Sequence, residues 1–332
     1  MFNFIKKDDL KSSVKLIVAV IAVLLLYNLI VYKFVFLDTF GRNDKPFKEK
    51  KQIEFFGGEQ NYSTYLQAES WFNEQEFSEL TLNSFDGLKL SALLLEAQKD
   101  CRGTIILMHG YHSLPERDFA TLARFYHSLN YNVLLPYERA HGKSEGKFIT
   151  FGIKERYDCR DWILKINELY GDDMNIFVQG ISMGCATVLM ASSFEMPLNV
   201  RGIIADCGFT SPSEILYWTM VKQTKIPRLI ARFIMMTNNF FAEHVASFSF
   251  DEYSTYTALA KANVPILFIS GDKDETVPVD MTMNNFLQYK MKNDEKAELL
   301  IIEGAPHAVS NIINPEKYLS KVEEFLLKYE LK

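Results

Sequence analysis

The hydrophobic positions of this chain change their period twice. From Leu16 to Tyr32 they are continuous, with no charge and Asn28 as the one strongly polar interruption, and Lys33 and Phe34-Val35-Phe36-Leu37 follow. A helix over 16–37 is long enough for the roughly 30 Å hydrocarbon core of a bilayer. Lys33 near one end can reach the headgroups. The run exceeds the roughly 7–15 residues of a signal-peptide core, and no A-x-A-like cleavage site follows. It therefore reads as an uncleaved single-pass signal anchor in the cell membrane, after a tail at 1–15. Lys6, Lys7, Lys11 and Lys15 favour an N-terminus inside and a main domain on the extracytoplasmic side. Lys33, Arg42, Lys45, Lys48, Lys50 and Lys51, after the span, pull the other way. Residues 38–60, charged and interrupted by Gly41, Gly57 and Gly58, read as a juxtamembrane linker.

From residue 61 to 332 the pattern is that of one globular domain. Tyr62 to Phe77 suits a helix, and Leu80-Thr81-Leu82 and Lys89 to Leu95 flank Asp86-Gly87, a hairpin signal. Short apolar runs then alternate with longer amphipathic ones. Strands are expected at Thr104–Met108, Asn132–Leu135, Asn175–Val178, Arg201–Ala205, Pro265–Ile269 and Ala297–Ile302. Helices are expected at Phe119–Leu129, Ile153–Leu169, Cys185–Phe194 and Pro315–Leu327. Strands apolar on both faces, alternating with helices, predict an α/β fold with a mostly parallel sheet covered on both sides. Between Ala205 and Pro265 there is too much chain for a simple crossover. Ser211-Pro212-Ser213-Glu214 reads as a capping box opening one helix, and a second starts near Pro227. The interval of about 209–257 is expected to be a helical cap over the strand ends, where such sheets bind ligands. Its methionines and aromatics nominate Trp218, Met220, Phe233 and Met236 as lining an adaptable apolar pocket.

Chemistry enters at Asn175–Gly184, NIFVQGISMG. A strand, G-x-S-x-G and a helix in direct succession form the context of a nucleophile elbow at Ser182. A serine at its free pKa needs a base, itself oriented by a carboxylate. The required chain order of serine, acid, histidine is met at three strand ends. Ser182 comes first; Gly271-Asp272-Lys273-Asp274-Glu275 follows the strand ending near Ser270; Glu303-Gly304-Ala305-Pro306-His307 follows the strand ending at Ile302. Asp272, Glu275 and Asp206 compete with Asp274 for the acid, whereas His307 is the one histidine after the last strand. The backbone N–H of Met183, just after the serine, and that of Tyr111, in the loop after Thr104–Met108, are the expected oxyanion donors. His109 and His112 lack an evident third metal ligand and read as loop residues.

The stretches LMHGY, ERAHGKSEG, GISMG, GDKDETVP and GAPHA together resemble the α/β-hydrolase superfamily, and in particular its membrane-anchored bacterial serine hydrolases of peptidase and esterase type. The likeness runs from about Leu80 to the C-terminus. It implies Ser182 as nucleophile, Asp274 as acid, His307 as base, and N–H donors at Tyr111 and Met183. The chain departs from the usual pattern at Glu138, where an aspartate is common, and at Ala140, where a glycine is common.

Composition narrows the partners. A net charge of −6 and the lack of a basic stripe with interleaved aromatics exclude a nucleic-acid partner. Cys101, Cys159, Cys185 and Cys207 are spread singly and read as small core hydrophobes. The expectation is a membrane-tethered serine hydrolase that needs no metal or organic cofactor and acts on a small-molecule carboxylic ester through a covalent acyl-enzyme. A peptidase, thioesterase or acyltransferase on the same residues, and a catalytically silent binding module at the membrane, are the alternatives.

Overall fold

The computed structural model describes residues 7–43, 53 and 56–331. Its centre is an eight-stranded sheet: β1 Ser78–Asn83, β2 Lys89–Leu95, β3 Gly103–Met108, β4 Tyr131–Pro136, β5 Ile176–Ile181, β6 Val200–Asp206, β7 Ile266–Gly271 and β8 Ala297–Ile302. The spatial order is β1-β2-β4-β3-β5-β6-β7-β8. The hairpin expected at Asp86-Gly87 forms the antiparallel edge, with Asn83 opposite Lys89, and β2 meets β4 antiparallel. From β4 through β8 every pair is parallel. This is the α/β-hydrolase fold.

The helices, in chain order, are α1 Lys7–Val31, α2 Leu37–Phe40, α3 Glu59–Asn73, α4 Pro115–Ser128, α5 Glu155–Tyr170, α6 Met183–Ala191, α7 Pro212–Trp218, α8 Arg228–Phe241, α9 Thr255–Leu259, α10 Val279–Lys290, α11 Ser310–Ile313 and α12 Pro315–Tyr329. Strands β3, β4, β5 and β7 are buried along their whole length, which is why they read as unbroken apolar runs. One face of the sheet packs Phe119, Ala123 and Tyr126 of α4 and Tyr318, Val322 and Phe325 of α12. The other packs Trp162 and Ile166 of α5, Val188 and Leu189 of α6, and Tyr289 of α10.

A third apolar cluster lies above the strand ends, beneath α7–α9, and it differs from the sequence expectation in one respect. The N-terminal helix does not end in a linker at residue 38. It continues through one π-helical turn, Tyr32–Phe36, into α2. Phe36 and Phe40, one helical turn apart, are fully buried among Phe151, Phe209, Phe248 and Phe250. The chain is then stitched to the loop before α5, with Ile149 N–H donating to Phe40 O (2.7 Å) and Arg42 N–H to Lys147 O (3.0 Å). The flanking charges Asp38 and Arg42 gave this stretch its linker-like composition, but the phenylalanine spacing decides its packing. The rest of the expected linker, 44–52 with 54 and 55, and residues 1–6 of the tail lie outside the described residues.

Upstream, α1 from Ser13 to Leu26 is exposed and apolar, and the helix from Ser13 to Phe40 is long and apolar enough to cross a bilayer. It is a candidate membrane span or signal sequence.

Candidate active site

Ser182 sits where β5 turns into α6. Its backbone is held at φ 56°, ψ −114°, a strained conformation for a residue with a side chain. The turn closes because Gly180 and Gly184 have no side chains. A Cβ on Gly180 would stand 2.2 Å from Gly184 O, and one on Gly184 would stand 1.9 Å from Met108 O. All of α6 is buried, and its first residue, Met183, has no carbonyl four residues back within the helix for its N–H. That N–H and the positive end of the helix therefore stand beside the Ser182 hydroxyl.

The loops after β7 and β8 complete the arrangement. His307 Nε2 lies 2.8 Å from Ser182 Oγ, and His307 Nδ1 lies 2.6 Å from Asp274 Oδ2. The other carboxylate oxygen of Asp274 accepts the N–H groups of Thr276 (2.9 Å) and Val277 (2.8 Å), so the carboxylate cannot swing away from the imidazole. An imidazole held in this way can take a proton from the hydroxyl and later give it to a leaving group.

The rival carboxylates are occupied elsewhere. Asp272 accepts Gly304 N–H (2.7 Å) and ties the acid loop to the histidine loop. Glu275 is exposed. Asp206 accepts from Tyr318 OH (2.8 Å), which joins Gln179 (2.8 Å) and Tyr126 in a buried chain under the site. Burial pushes the Asp206 carboxyl up to about 7, against the pull of the Tyr318 hydrogen bond. Cys207 lies within 4.8 Å of both Asp274 and His307, but burial holds its thiol well above its usual pKa and keeps it protonated. Cys159 and Cys185 are buried and unpaired as well, whereas Cys101 is exposed rather than a core residue.

His109 and His141 shape the loops behind the site. His109 Nδ1–H donates to Gly110 O (2.8 Å) and its Nε2 accepts Glu138 N–H (3.0 Å). His141 makes the same kind of pair with Arg139 O (2.9 Å) and His112 N–H (3.1 Å). Burial lowers the pKa of both rings, that of His109 to about 4, so both are neutral spacers. Glu138 is buried, and burial raises its pKa well above the usual range. Ala140 takes φ 61°, the left-handed conformation in which a glycine is usual.

Above Ser182 is a cavity of about 390 Å³, lined on one side by Tyr111, Met183 and Phe209 and on the other by Met220, Ile226 and Ile234 of the cap. Of the four residues nominated for an apolar pocket, Met220 lines it and three do not. Phe233 and Met236 are 57% and 69% exposed, on the outer face of α8, and Trp218 opens onto a separate surface cleft. Helix phase is the reason: Ala231, Ile234 and Asn238 form the inward side of α8, and the larger residues at 229, 233, 236 and 240 turn outward. The sequence reading missed a third wall. Phe34, Val35, Asp38 and Thr39, from the end of the N-terminal helix, also line the cavity, and Thr39 O accepts the Tyr111 hydroxyl (2.7 Å). The apolar Phe34–Leu37 stretch beyond Lys33 was the available signal.

Comparison with known proteins bears on the same half of the chain. The model of the prolyl oligopeptidase family (Peptidase_S9) matches residues 151–331, more than half of the chain and the part holding Ser182, Asp274 and His307. A Bacillus subtilis protein, the uncharacterized YqkD, is 28% identical over 230 residues, 69% of this chain and 73% of that one. Among solved structures, the Pyrococcus furiosus esterase Pf2001 superposes with a TM-score of 0.63 at 25% identity, covering 77% of this chain and 92% of its own. Est1E of Butyrivibrio proteoclasticus, solved with ferulic acid bound, shares the fold at TM-score 0.56 and 19% identity, over 75% of this chain and 98% of its own. With the fold and these matches together, the chain belongs to the prolyl oligopeptidase family and is a serine hydrolase.

Proposed function

We propose that this protein is a membrane-anchored carboxylic-ester hydrolase that works through an acyl-enzyme on Ser182. The observation that carries the reading is the continuous hydrogen-bonded path from Ser182 Oγ through His307 to Asp274, at 2.8 and 2.6 Å. In the first half-reaction His307 Nε2 takes the hydroxyl proton while Ser182 Oγ bonds to the ester carbonyl carbon. The backbone N–H groups of Met183 and Tyr111 stabilise the resulting oxyanion. The C–O bond to the alcohol breaks, and the alcohol leaves with the proton from His307. Water repeats the sequence, releases the carboxylic acid and restores Ser182. Asp274 keeps the imidazole in the tautomer that presents Nε2 to the serine.

An ester is favoured over an amide by the mostly apolar lining of Met220, Ile226, Ile234 and Phe209, which suits an apolar acyl or alcohol group. The likeness to an esterase at 25% identity points the same way. The family description favours a peptidase as the second reading. A panel of nitrophenyl esters and matched peptide amides separates them. Turnover of esters of graded chain length supports the proposal, and cleavage of amides alone overturns it.

Anchoring rests on the exposed apolar surface of α1. The lysines before the span favour the hydrolase domain on the extracytoplasmic side, against the pull of the cations that follow it. Protease treatment of intact cells tests this: digestion of the domain before lysis agrees, and protection until lysis contradicts it.

A further inference from the structure

The exposed face of the cap helix is itself apolar. Leu229, Phe233, Met236 and Phe240 recur at helical spacing along one side of α8, and all four are more than half exposed. That stripe lies beside the N-terminal helix. Tyr27 OH bonds Thr237 Oγ1 (3.1 Å), and the rings of Tyr32 and Phe241 stand 5.0 Å apart. Tyr27 precedes Lys33 by six residues, about 9 Å of helix rise. A bilayer that receives α1 with Lys33 at its surface therefore reaches the level of Thr237, and the outward face of α8 meets lipid.

Charge points to the same occupant. From Ile215 to Ala242 there is no acidic residue, while Lys222, Lys225, Arg228 and Arg232 all fall there, in a chain of net charge −6. All four are exposed. By helix phase, Arg228 and Arg232 edge the apolar stripe on the side opposite Thr237. An apolar face edged by cations is the pattern of a helix lying in a membrane surface that contains anionic lipid.

The cavity above Ser182 is lined by both of these elements. Phe34, 73% exposed, and Val35 line it from the extension of α1, and Ile234 lines it from the inner side of α8. We propose that α8 seats its outer face in the bilayer holding α1, and that the substrates are membrane-resident esters with long acyl chains, which reach Ser182 sideways from the lipid between α1 and α8. The proposal rests on the ester-hydrolase and anchoring readings above and adds the substrate's phase and its route. The span is then a wall of the binding site as well as a tether.

The test uses the full chain in vesicles of phosphatidylcholine with phosphatidylglycerol, and two substrates: soluble nitrophenyl butyrate and nitrophenyl palmitate dissolved in the vesicles. Combining Leu229→Ser, Phe233→Ser and Met236→Ser should lower the palmitate rate about tenfold or more while the butyrate rate stays within about twofold. Equal loss on both substrates, or no loss on palmitate, overturns the proposal. So does a change of oligomeric state without a change in the ratio of the two rates, which would assign the stripe to a second copy of the chain. Ser182→Ala separates the two levels: if it spares both substrates, the hydrolase reading fails and the membrane proposal falls with it. A nitroxide at Phe233→Cys in a Cys101→Ser background, read in the same vesicles, needs no catalysis. Greater accessibility to oxygen than to a water-soluble nickel complex is expected, and the reverse overturns the proposal.

Discussion

The turn around Ser182 and the helix Arg228–Phe241 have similar apolar content and opposite constraints. Around Ser182 nearly every atom is enclosed: β5 and α6 are buried throughout, and two glycines stand where a Cβ would strike backbone oxygen at 2.2 and 1.9 Å. One chain path is sterically open there, and it fixes where the hydroxyl points. The cap helix touches the protein on one side and leaves its larger apolar residues outside. Close packing on all sides positions an atom, whereas an apolar helix with a free face is oriented by what it meets.

The sharpest way to break this contrast is at the hydroxyl itself. Ser182→Ala should reduce kcat by roughly 10⁴–10⁶-fold with thermal unfolding little changed, measured on a nitrophenyl ester. Asp274→Asn should keep the geometry but favour the wrong tautomer of His307, lowering kcat by about 10³–10⁴-fold. If Asp206→Asn gave the larger loss instead, the acid assignment would be reversed. Gly184→Ala tests steric enclosure. Its new methyl has no room beside Met108 O, and a stability loss of about 3 kcal/mol or more is expected from denaturant unfolding, with activity falling too.

Asp206 gives a pH signature. Its carboxyl is raised to about 7 in the folded protein by burial, above an unfolded value of about 3.9. The folded state therefore keeps a proton that the unfolded state releases. The associated stability is complete below about pH 4 and is lost as pH rises through about 7. Asp206→Asn should flatten this fall, worth on the order of 2–4 kcal/mol, in unfolding curves taken from pH 4 to 8. The smallest effect is expected at Ala140, whose φ of 61° suits glycine. Ala140→Gly should raise stability by up to about 1 kcal/mol, with the relief of strain partly offset by a lost methyl contact.

Much of the fold was legible because buried strands leave a simple trace. The runs at Thr104–Met108 and Ala297–Ile302 match observed strands almost to the residue, and the hairpin at Asp86-Gly87 pairs as expected. The order of Ser182, Asp274 and His307 along the chain was visible because each follows a strand. What stayed hidden depended on orientation or on distant partners. Nothing local distinguishes Ile234, which faces the cavity, from Phe233, which faces outward. The buried chain of Tyr126, Gln179, Tyr318 and Asp206 joins four separate elements, and none of the four carries a local signature. The burial of Phe36 and Phe40 was masked by charged neighbours whose side chains point elsewhere.

The central claim is that Ser182 is the nucleophile and that His307 and Asp274 activate it. Its most direct test is to treat the full-length protein with a fluorophosphonate and map the adduct by peptide mass spectrometry. The account predicts a single adduct on Ser182, absent in Ser182→Ala and strongly slowed in His307→Ala. No adduct on the native protein, or one on another residue that persists in Ser182→Ala, would contradict it.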